Sequence, residues 1–504
     1  MPFLDRKERA FLQAVARLGY CNPFLPERVE YERQSLGAAF EEGEPVWSMQ
    51  VADPDQTRAN AWKVAERIEA ALGGIRERIP TAPDASEQDL ALYEDAALYL
   101  LYHRYADKMF RAVSAESRDT PASPRWSFYR DFFRDWQHYF EIPGIVLPSR
   151  HEAAHTFACF FQISRAFVQI FGKIIGSSMS AARLRAAVWQ SIFTHDIRRY
   201  RRTLYRRMGD FATLITGPSG TGKELVARAI AFSRYVPFDE RKGRFGEEAA
   251  ETFHAVNLAA LSPTLIESEL FGHRRGAFTG AVADRRGWLE TCPPTGTVFL
   301  DEIGDLDPAL QVKLLRVIET RLFQPVGDTS SRRFEGKLIA ATNRPLPEAM
   351  RDGRFREDLY YRLCADQIVT PPLREQLRES PAMLGEVLLF MARRVVGEDA
   401  EPLAREVEAW VGENLGAGYP WPGNYRELEQ CVRNVLIRKL YQPPRLQPDP
   451  DGEEWVGQMQ RGELSAEELL RHYAKHVHAM TGSYQETGRR LQLDRRTVKS
   501  KVDG

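Results

Sequence analysis

The sequence predicts an α/β protein: a parallel sheet with crossover helices in the middle of the chain, a mostly α region before it and a small α end after it. Three observations carry this. The apolar runs FATLITG (Phe211–Gly217), GTVFLDE (Gly296–Glu302) and KLIAATN (Lys337–Asn343) each stop at a glycine, an acid or a turn residue, with helical patterns between them. Short strands alternating with helices build a parallel sheet. Upstream, aromatic residues recur at helical spacing over Ala97–Val113 and Trp126–Phe140. Downstream, the helical pattern returns after Leu373 and ends in RELEQCVRNVLIRKL (Arg426–Leu440).

A chain of 504 residues is too long for one core and predicts two to four domains. Residues 1–175 read as an N-terminal helical domain, regulatory by position, with a turn-rich break at Ile142–Ser149 that carries Pro143 and Pro148. Residues 176–373 read as the sheet-bearing core and 374–440 as a second helical segment. Residues 441–456 read as a linker, dense in proline and acid over Tyr441–Glu454, and 457–504 as a terminal domain. The 69 basic and 70 acidic residues cancel, so any attraction to nucleic acid must be local. MPFLDRKERAF lacks the apolar centre of a signal peptide. Thr156–Ile175 is interrupted by Gln162, Arg165, Gln169 and Lys173, so it reads as a buried amphipathic helix and not a membrane span. Five scattered cysteines with no CxxC pair point to a reducing compartment and a cytoplasmic protein.

The strand FATLIT runs into Gly217-Pro218-Ser219-Gly220-Thr221-Gly222-Lys223 and then a helix start. In this P-loop pattern glycines turn backbone N–H groups toward phosphates, the helix N-terminus adds its positive dipole end, and Lys223 neutralises the β- and γ-phosphates. Glu224 stands where the general pattern places a magnesium-binding hydroxyl, which leaves that contact open. The strand Thr297–Leu300 delivers Asp301, suited to hold Mg²⁺, and Glu302, suited to polarise water. KLIAATN ends in Asn343, whose amide can sense the γ-phosphate or orient water.

From about Gly176 to Leu440 these residues resemble the AAA+ transcription activators that act on sigma-54 RNA polymerase, the bacterial enhancer-binding proteins. The most specific element is Gly276-Ala277-Phe278-Thr279-Gly280-Ala281, within ESELFGHRRGAFTGA. Small residues flank an aromatic and a hydroxyl, both expected to be exposed, which suits a mobile contact tip better than a core. The resemblance implies that this tip touches sigma-54. GPSGTGKE matches the family's own phosphate loop, Glu224 included. The resemblance also implies that Asn257 engages the catalytic glutamate, that Arg356 and Arg362 reach a neighbouring subunit's ATP, and that Arg426 is the sensor arginine of a helical lid over 374–440. Six residues along one helix rotate by about 240°, so Arg356 and Arg362 would not share a face. ATP and Mg²⁺ as cofactors, a homo-oligomeric ring (a hexamer) and sigma-54 RNA polymerase as partner follow from the same resemblance. A AAA+ remodelling ATPase with another protein client is the alternative. Two features depart from the family: the insert DERKGRFGEEAAE (Asp239–Glu251), expected to be a solvated excursion, and six arginines between Arg198 and Arg207, expected to be a solvated face or a subunit contact.

The ends carry two further motifs. Ser483–Val502 has the rhythm of a helix-turn-helix, with Asp494 as a cap and Val498 and Val502 on one face. Arg489 to Lys501 holds six basic residues and one acid, a local basic patch. Arg495, Arg496, Lys499 and Lys501 are expected to project outward, with Thr497 among them, as a DNA-binding surface resembling the family's Fis-type ends. His151-Glu152-Ala153-Ala154-His155 fits HExxH, but Ala158 and Phe161 occupy the metzincin Gly and His positions, and no glutamate lies between Glu152 and Glu224. A structural histidine pair is the expectation, and a zinc hydrolase the alternative.

Overall fold

The computed structural model describes residues 3–43, 59–81, 85–116, 126–149, 152–246, 253–416, 418–443, 455, 458–459 and 461–503. The chain divides into two compact units, Met1–Lys439 and Leu440–Gly504.

The first unit is built on a five-stranded sheet in the order β11-β1-β10-β7-β4. Its strands are β1 (Thr213–Thr216), β4 (Phe253–Asn257), β7 (Thr297–Asp301), β10 (Lys337–Thr342) and β11 (Asp366–Val369), all parallel. The three predicted runs became β1, β7 and β10, and β10 is buried along its whole length, as a strand covered on both faces must be. Three short antiparallel hairpins project from this sheet: β2 with β3 (Phe238–Asp239, Arg244–Phe245), β5 with β6 (Gly272–His273, Arg285–Arg286) and β8 with β9 (Leu322–Phe323, Arg332–Arg333).

The helices before the sheet are α1 (Arg6–Tyr20), α2 (Glu27–Leu36), α3 (Ala59–Arg78), α4 (Glu87–Glu116), α5 (Tyr129–Phe140), α6 (Ala153–Lys173) and α7 (Met179–Phe193). Asp5 and Glu8 form a capping box at α1, and Ser178 caps α7 through the N–H of Ala181. The amphipathic segment expected near Thr156–Ile175 is α6, and it is buried on most of its circumference. It lies against α8 (Lys223–Ala231), the helix that follows the phosphate loop. Gln162 Nε2 donates to Ser233 O at 2.9 Å, and Arg165 donates to Phe232 O. One hydrophobic cluster joins Ile170 of α6 and Trp189 of α7 to Ile215 and Ile230, so the core runs on across residue 175.

Two expectations hold only in part. The described part of the 239–251 insert is largely solvated, as expected, but it is also anchored, because β2 and β3 pair Phe238 with Phe245 on one face of the hairpin. Phe238 is buried, and Phe245 stacks on Phe161 at 4.1 Å and meets Trp126 at 4.7 Å, while residues 240–244 and Gly246 stand in solvent. Residues 247–251 of the insert lie outside the described residues. The arginine run is likewise only partly solvated. Arg201 is buried against Glu94 at 3.3 Å, and Arg198 pairs with the buried Asp95; both acids come from α4. Arg199, Arg202, Arg206 and Arg207 remain exposed.

Four helices follow the sheet: α9 (Leu373–Glu379), α10 (Met383–Val396), α11 (Ala400–Asn414) and α12 (Asn424–Arg438). In the second unit α13 (Ala466–Thr481), α14 (Tyr484–Leu491) and α15 (Arg495–Asp503) pack around Ala474, Val477 and Val498. Ser465 and Glu468 form a capping box at α13. Linker residues 444–454 and 456 lie outside the described residues.

Candidate functional site

The carboxyl ends of β1, β7 and β4 open on a cleft of about 520 Å³, where open α/β sheets take their ligands. Residues 219–224 form one wall, with Asn257, Asp301 and Glu302 on another and Arg394 and Arg426 across from them. Gly217, Gly220 and Gly222 have φ of 144°, 78° and 90°, which is why this loop is written in glycine. A Cβ at Gly217 would collide with Thr370, and one at Gly220 with the carbonyl of Gly423. Pro218 and Gly217 offer their carbonyls to Lys223 Nζ at 3.2 and 3.0 Å. Burial lowers the Lys223 pKa, against the opposing charges of Glu302 and Asp301.

The Thr221 hydroxyl donates to Pro218 O of the same loop at 2.8 Å and lies 2.6 Å from Thr370 Oγ1, so it is engaged within the loop and at the end of β11. Glu224 pairs with Arg228 at 2.7 Å on the exposed side of α8. Asp301 is pushed above the usual carboxylate range by burial and by the neighbouring Glu302. Glu302 has φ 56°, and its Oε2 accepts the backbone N–H of Asn343 at 3.1 Å. Asn257 stands in register with Asp301 on the next strand, but its Oδ1 accepts the N–H of Ala259 at 3.0 Å. The hydrogen bond to the glutamate comes instead from Asn343, through its backbone.

The lid reaches the loop through residues that sequence reasoning passed over. Asn424, buried at φ 52°, donates to Ser219 O at 2.9 Å and accepts from Leu373 N at 2.8 Å, while Tyr425 N donates to Gly220 O at 3.1 Å. Arg426 Nη1 donates to Ser219 Oγ at 3.2 Å. The signal was present in YPWPGNYREL, where a proline, a glycine and an asparagine precede a helix. Positive φ at a glycine loop, a buried lysine and a half-buried raised-pKa carboxylate fit a magnesium-bound nucleoside triphosphate.

Arg356 and Arg362 are both exposed and do not line this chain's own cleft. Arg356 pairs with Asp358 at 2.7 Å, and Arg362 with Glu319 at 3.0 Å. The two arginines are not six residues apart along one helix, as expected. Arg356 is the extended N-cap, at ψ 134°, of the helix Glu357–Leu363 and not part of it.

The hexapeptide 276–281 sits between β5 and β6, above an ion pair of Arg274 with Asp284 at 2.7 Å. Gly276 and Gly280 have φ of 81° and 101°, and Gly276 N donates to Ala281 O at 2.8 Å, closing the tip. Thr279 is exposed as expected. Phe278 is not: its ring lies half-buried, edge-on to His273 at 4.9 Å. Ala281 is buried, and Val282 is the exposed apolar side chain.

In the second unit Asp494 caps α15, accepting from Arg496 N at 2.8 Å and Thr497 N at 3.1 Å, and the Thr497 hydroxyl bonds the same carboxylate. Arg495, Arg496 and Lys499 are exposed. Lys501 does not project freely outward as expected, because it reaches Glu467 of α13 at 2.8 Å.

His151 lies outside the described residues. His155 has Nδ1 2.8 Å from Tyr235 Oη and Nε2 2.9 Å from Arg201 O, so both ring nitrogens serve the fold. Burial lowers its pKa. Among the described residues no three His, Cys, Asp or Glu side chains gather as a metal site, and no helix is long and apolar enough to cross a membrane.

A parallel sheet in this order, a glycine loop after β1, paired acids after β7 and a helical lid bonded to the loop define an AAA+ P-loop ATPase fold. Residues 193–369 match the family described as the sigma-54 interaction domain. The chain is 42% identical over 224 residues to the Nif-specific regulatory protein of Azotobacter vinelandii, covering 44% of this chain and 39% of that protein. It is 38% identical over 301 residues to the transcriptional regulatory protein ZraR of Klebsiella oxytoca, covering 58% and 63%. Among solved structures, NtrX from Brucella abortus is similar with 22% identity and a TM-score of 0.39, covering 73% of this chain and 79% of that one. The chain spans about two-fifths of the length of the Nif regulator it matches.

Proposed function

We propose that this protein is a cytoplasmic, ATP-hydrolysing transcriptional activator that binds DNA and remodels sigma-54 RNA polymerase to open promoters. The observation that carries this is the pairing of one cleft, holding Lys223, Asp301, Glu302 and Arg426 together, with the closed 276–281 tip on a hairpin of the same sheet domain. The family of residues 193–369 and the relatives named above support the same reading.

In this reading Lys223 and the N–H groups of residues 219–223 bind the β- and γ-phosphates, and Asp301 holds Mg²⁺. Bound there, Mg²⁺ would supply charge neutralisation for the phosphates. Glu302, oriented by the Asn343 N–H, withdraws the proton of the attacking water. Arg426 joins the lid to the nucleotide. Arg356 and Arg362, turned away from their own cleft, complete a neighbour's site in a homo-oligomeric ring, a hexamer, and Asn257 links the site to the contact tip. Arg495, Arg496 and Lys499 face DNA, with Thr497 shaping the start of the recognition helix and Lys501 sharing its charge with Glu467.

The test is a binding and turnover comparison of the full chain with Thr279→Ala. The wild type should bind sigma-54 in a nucleotide-dependent manner, and the variant should lose that binding while retaining ATPase activity. A wild type that hydrolyses ATP but never binds sigma-54 would overturn the client assignment and leave an ATPase with another target.

A further inference from the structure

A cavity of about 160 Å³ lies among α1, α4, α6 and α7 and shares no lining residue with the nucleotide cleft. Its walls carry the rings of Tyr99, Tyr102, Phe160, Phe167 and Trp189. Gly19, Tyr20, Cys21 and Pro23, all partly or fully exposed, form its rim. A cavity of roughly this size accommodates a single benzene-sized ring.

The charged groups of the wall are balanced in pairs. Arg28 pairs with Glu32, Asp95 with Arg198, and Arg201 with Glu94. A ligand with net charge would therefore have to bury that charge without a counterion, which is costly. The Arg201 side chain carries a further donor. Arg201 is only 7% exposed, and its Nε–H has no hydrogen-bond partner among the described residues. A buried N–H without an acceptor calls for one.

We propose that this cavity binds a small uncharged aromatic carbonyl compound: one ring among the aromatic side chains, its C=O accepting the Nε–H of Arg201. The position makes such a ligand an effector of the ATPase. Arg201 lies in the segment that leads into β1, and its own carbonyl is held by His155. Phe160 and Phe167 sit on α6, the helix that Gln162 and Arg165 fasten to the end of α8. Occupancy thus bears on the two elements that flank the phosphate loop.

The experiment is calorimetry on the full chain with benzamide as probe, in the presence of a saturating non-hydrolysable ATP analogue. One benzamide should bind per chain. Benzoate, which is charged, and cyclohexanecarboxamide, which is not aromatic, should bind at least tenfold more weakly. A Cβ at Gly19 would touch only the ring of Tyr99, at an ordinary 3.7 Å, so Gly19→Phe should fold and block the mouth with at least a tenfold loss. Arg201→Lys keeps a charge opposite Glu94 but removes the Nε–H, and it should weaken benzamide tenfold while leaving toluene unaffected. Benzamide should also change the steady-state ATPase rate at least twofold. Absence of binding, competition by the nucleotide analogue, or unchanged affinity in both variants overturns the site, and binding with no change in rate overturns the effector role.

Discussion

Replacing Arg201 by methionine strands a carboxylate in the interior. The Arg201 and Glu94 side chains are 8% and 4% exposed and lie 3.3 Å apart. At an effective dielectric constant of about 20, unit charges at that separation attract by roughly 5 kcal/mol. Glu94 also accepts the backbone N–H of Ser149 at 3.0 Å, which cannot replace a guanidinium. Removing one partner of a buried pair costs about 3–5 kcal/mol. The measurement is a four-way urea series: wild type, Arg201→Met, Glu94→Gln and the double variant, each followed at its first unfolding transition, because so large a unit need not unfold in two states. Arg201→Met should lose at least about 3 kcal/mol, and the double variant should be more stable than Arg201→Met alone, since the uncompensated charge is gone. A double variant that loses the sum of the two single losses, within about 0.5 kcal/mol, would refute the pairing.

Glu302→Gln should keep nucleotide affinity near wild type while turnover falls by about a hundredfold or more; preserved turnover would remove Glu302 from the chemistry. Asp301 must be ionised to hold magnesium, and its pKa is raised. Mg²⁺-dependent nucleotide binding should therefore be complete above that raised pKa and fall as pH drops through it, beginning above the ordinary value of about 4. The stability of the nucleotide-free chain moves oppositely, because burying the ionised form costs stability above that pKa. Asp301→Asn should gain stability at pH 7, and the gain should vanish below about pH 4; a pH-independent gain would refute the assignment. For DNA, Lys499→Ala should reduce the slope of log affinity against log salt by about 0.9, while Lys501→Ala should reduce it less because Glu467 already holds that charge. Equal reductions would place both lysines on phosphate.

Much of the site was legible because its signals are contiguous. Gly217 to Lys223 encode their own backbone, since glycines at positive φ are the cheapest way to turn a strand into that loop. Asp301 and Glu302 follow directly from where β7 ends, and Asp494 from the first turn of α15. Phe278 was misread as exposed because its partner His273 is reached only when the 272–286 hairpin closes. Arg356 was misread as helical because a cap and a first helical residue look alike in sequence. Asn424 escaped notice because its use lies in bonds to Ser219 and Leu373.

The sequence alone therefore determined the parallel-sheet class, the glycine-rich loop, the paired acids, the 276–281 turn and the basic terminal helix. Each depends on residues within a few positions of one another, whose conformation and chemistry are set locally. Only the tertiary structure decided which charges are solvated and which are buried. Glu94 and Arg201 are 107 positions apart, and Phe161 and Phe245 meet only after α6 has packed beside the sheet. Composition makes an arginine run or a charged insert look like surface. Whether it stays there depends on what the fold brings against it, and here that is the acidic face of α4 and the aromatic core around α6.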